Sequence, residues 1–141
     1  MDKSTFFSET LSRFAPKEFI PYLTKLILEA RVKFKIVPGR KTKLGDFRFS
    51  ELSDKPTITV NGDLNPYSFL ITSLHEIAHL NTFRNYGNSV QAHGLEWKNA
   101  FRELLEPILK LSEHLLKREQ ETVFLRLFRC KHSDCVLNLL S

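Results

Sequence analysis

Hydrophobic and polar positions along the chain change period several times, and each change marks an element. From about Pro16 to Lys33 the apolar residues Phe19, Ile20, Leu23, Leu26, Ile27 and Ala30 recur at three- and four-residue intervals, which predicts an N-terminal helix with one buried face. Alternation then takes over. "KFKIV", "FRF" and "TITV" each turn every second side chain to one side, and the turn-forming stretches "PGRKTKLGD" and "SDKP" separate them, so a small antiparallel sheet is expected. In "NGDLNP", Asn65 is suited to cap a helix and Pro66 to take its first position. The helix so opened carries Leu70, Ile71, Leu74, Ile77, Ala78 and Leu80 and should stop near Tyr86, with Gly87 as its C-terminal punctuation.

After a short polar loop, "AHGLEWKNAFRELLEPILK" brings Leu95, Phe101, Leu104, Leu105 and Ile108 into helical spacing, and Pro107 should end or kink that helix. Ser112 reads as the cap of a further helix toward Arg129, carrying Leu115, Leu116, Val123, Leu127 and Phe128. The order is therefore α+β: an N-terminal helix, a small antiparallel sheet, a central helix, then packing helices. With 141 residues, 42% of them hydrophobic, the chain suits a single domain over residues 1–141 with a real core and is too short for two.

Composition adds compartment and charge. Neither a signal-peptide pattern nor an apolar run near membrane-spanning length occurs, so a soluble, intracellular, cytoplasmic protein without membrane association is expected. Cys130 and Cys135 in "CKHSDC" are too few and too close to staple a secreted fold; they read as ordinary thiols of a reducing compartment, and His114 and His132 read as surface residues. The net charge of +5 is unevenly spread: between Arg31 and Arg48, Arg31, Lys33, Lys35, Arg40, Lys41, Lys43 and Arg48 face only Asp46. That excess is either a solvated face of exposed strands or a surface for a polyanion.

The sharpest chemistry lies in "ITSLHEIAHLNTF", residues 71–83. His75 and His79 stand four apart and share a helix face, and "HEIAH" fits the H-E-x-x-H pattern, in which two imidazoles one turn apart grip zinc and the adjacent glutamate, Glu76, activates water. A catalytic zinc normally takes three protein ligands, so a third is needed downstream. The longer metzincin pattern would put glycine at position 82 and histidine at position 85; Thr82 and Asn85 exclude it. His93, Glu96 and Glu103 remain. His93 is the favoured one, fourteen residues after His79 with Gly94 behind it to permit close backbone approach. Glu96 could then orient an imidazole from behind.

"HEIAHL" followed at this distance by "HGLEWK", and preceded by "TITVNGDLN", resembles the SprT-like metalloprotease domain, whose eukaryotic members include the Spartan proteases that degrade proteins crosslinked to DNA. The resemblance spans roughly residues 19–105, with a C-terminal helical tail over 112–141. It implies a zincin-like fold, one Zn2+ on His75, His79 and His93, Glu76 as catalytic base, and protein substrates. It also implies association with nucleic acid, for which Arg40, Lys41 and Lys43 are the candidate contacts, and with it a place at the nucleoid. Relatives commonly add a four-cysteine zinc ribbon; "CKHSDC" lacks the second pair. The expected function is zinc-dependent hydrolysis of peptide bonds. The rival is a non-catalytic module that binds metal or nucleic acid on the same scaffold.

Overall fold

A computed structural model describes residues 2–119, with side chains through 111. The cysteine pair, His132, the side chain of His114 and the tail beyond 119 lie outside the described residues. By its contacts the chain divides inside its central helix, into residues 1–77 and the residues from 78 onward.

The first unit opens with a helix that the apolar spacing does not announce, α1 (Lys3–Leu11). A cap starts it: the Asp2 carboxylate accepts from the Thr5 amide at 2.7 Å. The helix is then held by burial of Leu11 and by a 3.2 Å contact between the Ser8 and Thr24 hydroxyls. The helix expected from Pro16 to Lys33 is instead a 3-10 turn, Lys17–Phe19, that runs into α2 (Ile20–Ala30). It stops early because Arg31 adopts the left-handed conformation, φ 52°, and releases Lys33 to a strand.

Three strands follow, β1 (Lys33–Val37), β2 (Gly45–Arg48) and β3 (Thr57–Asn61), in the order β1-β3-β2. The sheet is mixed, which corrects the antiparallel expectation: β3 pairs parallel with β1 and antiparallel with β2. The chain does reverse at each turn as expected, but the last strand, not the middle one, takes the centre. β3 is the strand whose inward side chains, Ile58 and Val60, are fully buried, and the central place pairs both of its edges. The short, polar β2 is left on an edge.

Register sorts the side chains into two faces. Phe34, Ile58 and Phe47 form one cross-strand row, and Ile36, Val60 and Gly45 the next; these belong to the apolar face. The other face carries the rows Lys33, Thr57, Arg48 and Lys35, Thr59, Asp46. On the apolar side Phe69 stacks with Phe14 at 5.6 Å and meets Phe34 edge-on at 6.4 Å.

Helix α3 (Pro66–Tyr86) starts as the sequence predicts, with Asn65 Oδ1 accepting from the Ser68 amide at 2.9 Å, and ends before Gly87 at φ 62°. It is not amphipathic in its first half: every residue from Tyr67 to Ala78 is buried, as in a core helix covered on all sides. Two of its hydroxyls return to the backbone, Ser73 to the Phe69 carbonyl and Thr82 to the Ala78 carbonyl, both at 2.8 Å.

In the second unit α4 (Leu95–Glu119) runs unbroken through Pro107, so the break expected there is absent and Ser112, expected to open a further helix, lies inside this one; the expected stretch from 120 to Arg129 falls outside the described residues. Proline removes one amide and crowds the carbonyl four residues earlier. Leu104, Leu105 and Ile108 are all buried around it, and that burial outweighs the local preference. Among the described residues, no helix is long and apolar enough to cross a membrane.

Candidate metal centre

Helix α3 places His75, Glu76 and His79 within one turn. His75 and Glu76 are 8% and 6% exposed, and His79 is half-buried. The His75 Nδ1–H donates to Glu76 Oε1 at 3.2 Å. With Glu76 ionised its carboxylate only accepts, so the contact favours the tautomer with the proton on Nδ1, in which Nε2 carries the lone pair a metal ligand needs.

Glu76 is confined from the sheet side. A Cβ built on Gly45 of β2 would stand 2.8 Å from Thr72 Cγ2 and 3.1 Å from Glu76 Cγ, so the strand approaches this turn of helix only because position 45 has no side chain. Nothing in the alternation of "GDFR" signals that role.

His93 lies just before α4 and has φ 59°, a left-handed backbone unusual for a residue with a Cβ. The bend brings its Nε2 to 3.0 Å from His79 Nε2. Trp97, in the first turn of α4 and 2% exposed, stacks on His79 at 5.4 Å and meets His93 edge-on at 4.6 Å, so one indole fixes the tilt of both rings. Phe101 supports it from behind at 5.1 Å. Trp97 was not singled out from sequence, although its place four residues after His93 is the signal that could have found it.

His75, His79 and His93 each offer a ring nitrogen, and the three lie within 4.8 Å of one another. The set could hold a metal ion. Three neutral imidazoles suit zinc and other late first-row cations. The 3.0 Å between His79 and His93 is close to the roughly 3.3 Å separating two nitrogens of a tetrahedral zinc site. Glu96, half-buried in the first turn of α4, and Glu103, exposed, stand outside the cluster.

The basic residues are placed by β3. Asn61, 1% exposed at its end, donates to the Arg40 and Lys43 carbonyls at 3.3 and 2.7 Å and accepts from Arg40 Nε at 2.8 Å, clamping the 38–44 loop. Lys43 and Arg48 pair with Asp46 at 3.4 and 2.6 Å, whereas Lys41 is exposed. Partial burial pushes the Asp46 carboxyl up, but the hydrogen bonds from Arg48 and Lys43 outweigh it and hold the group below its usual range. A scan against protein-family models, a search of curated proteins and a search of solved structures each found no match.

Proposed function

We propose that the chain is a zinc-dependent metallopeptidase with a zincin-like, SprT-like arrangement that hydrolyses peptide bonds in protein substrates. The observation that carries this reading is the convergence of three imidazoles beside a buried glutamate on the same turn of helix. His75, His79 and His93 would hold the ion, which when bound supplies Lewis acidity to polarise a carbonyl and acidify water.

The chain's own groups do the rest. Glu76 accepts a proton from water as the oxygen attacks the peptide carbon, then returns that proton to the departing amine as the C–N bond breaks. The His75 contact orients Glu76 without exhausting it, since a carboxylate has two oxygens and about four acceptor positions. Edge strand β2 runs past the Glu76 turn at Gly45, and an extended substrate could add to that edge through main-chain hydrogen bonds, with wide sequence tolerance.

The His75–Glu76 hydrogen bond also favours a second reading, a non-catalytic metal module in which Glu76 only steers an imidazole. Glu76→Gln separates the two. Glutamine can still accept from His75 Nδ1 but cannot take up a proton from water, so zinc content should match wild type while cleavage of an unfolded protein falls about 100- to 10,000-fold. Equal cleavage by both proteins at equal zinc content would remove the protease reading.

A further inference from the structure

The polar face of the sheet carries a feature the metal centre does not use. A groove of about 410 Å³ lies there, within the size range of small-molecule sites. Lys35, Arg40, Arg48 and Lys55 line it against a single carboxylate, Asp46. Two further atoms at the groove residues stand out. Arg40 Nη2 and Thr59 Oγ1 are both cut off from solvent and have no hydrogen-bond partner, although neither residue is deeply buried as a whole.

An unpaired buried guanidinium N–H is costly, and Arg40 is not free to swing away from its position. Its Nε is tied to Asn61 Oδ1, and Asn61 is itself held by two backbone carbonyls of the same loop. The guanidinium is therefore pre-positioned, with donors that no protein acceptor satisfies. Thr59 sits in the centre of the face, with Lys35 opposite it on one neighbouring strand and Asp46 on the other. A tetrahedral oxyanion answers the donors among these groups at once, accepting from the guanidinium fork, from a threonine hydroxyl and from flanking ammonium groups, while the Asp46 carboxylate is offset by its own pairs with Lys43 and Arg48.

We infer that this groove is a binding site for a phosphate group, with Arg40 as its central donor and Lys35, Lys55 and Thr59 around it. The site is independent of the metal centre. It draws on Arg40 from the cationic segment singled out in sequence but adds Lys55 and Thr59, and it leaves aside Lys41 and Lys43, neither of which lines the groove. The phosphate could belong to a free phosphorylated small molecule or to a polynucleotide backbone.

The test is a titration of the full chain with inorganic phosphate, adenosine monophosphate and a single-stranded oligonucleotide, followed by the amide resonances of Lys35 and Thr59. Binding of phosphate and the mononucleotide at those resonances assigns the site to small phosphorylated ligands. Response to the oligonucleotide alone, with an affinity that falls steeply with salt, assigns it to a polynucleotide. In either case Arg40→Gln should weaken binding about 10-fold or more, and Lys35→Gln several-fold, as loss of charge-assisted contacts requires. Lys35 is exposed, so Lys35→Gln and Thr59→Val decide the matter if Arg40→Gln fails to fold. No response to any of the three probes, or unchanged affinity in all the folded variants, overturns the inference.

Discussion

At the scale of single residues, His93 meets two demands that pull against each other. Its ring must reach His79, and to do so its backbone sits at φ 59°, where a Cβ costs energy that glycine would not pay. His93→Gly therefore removes the ligand and relieves the backbone together. Zinc affinity should drop by more than the 10- to 100-fold that loss of a merely supporting partner costs, while the metal-free protein should melt no lower than wild type. Zinc titrations and melting curves on the same preparations check both; undiminished affinity would send the search for a third ligand to Glu96. The histidine trio was legible because helical spacing and a following glycine are local signals. Trp97 was not, because a lone tryptophan in the first turn of a helix looks the same whether it fills a core or steers two imidazoles. Gly45 was also hidden, since its importance depends on a strand passing Thr72 and Glu76 from far away in sequence.

At the scale of elements, the end of α2 is the place where the backbone departs from what its side chain prefers. Arg31 closes the helix in the left-handed region, a position usually given to glycine. Arg31→Gly should raise stability by about 1 kcal/mol, read as a higher urea midpoint at unchanged slope. A lower midpoint would mean that the arginine side chain contributes more than its backbone costs. Helix α3 was legible at both ends, through Asn65, Pro66 and Gly87. The sheet was legible in its strands and their alternating direction but not in their order, because pairing is decided by which strand gains most from the centre. α1 and the passage through Pro107 escaped for a related reason: a cap residue and buried leucines sustain helices that periodicity and proline argue against.

At the scale of the whole molecule, metal and fold should be coupled. A cation that binds the assembled histidines and not the unfolded chain stabilises by about 2.7 kcal/mol when its concentration is a hundred times the dissociation constant. Stripping the protein with a chelator should lower its melting temperature, and zinc should restore it, whereas calcium should not, since imidazole is a poor ligand for that ion. A melting temperature indifferent to zinc would dismiss the metal site. Net charge was legible from composition, but its orientation was not: Lys35, Arg48 and Thr59 share a face only once the register is known, and Arg40 joins them only through Asn61.

The central place of β3 has a consequence for synthesis. A chain made from its N-terminus releases β1 and β2 before the strand that must lie between them, so the sheet cannot close until Asn61 has emerged. Until then Phe34, Ile36 and Phe47 belong to strands with no neighbour, the period in which a nascent chain is most prone to stick to others. Pro66 opens α3 directly afterwards, so the closing of the sheet and the birth of the helix that bears His75 and His79 fall in the same interval of translation.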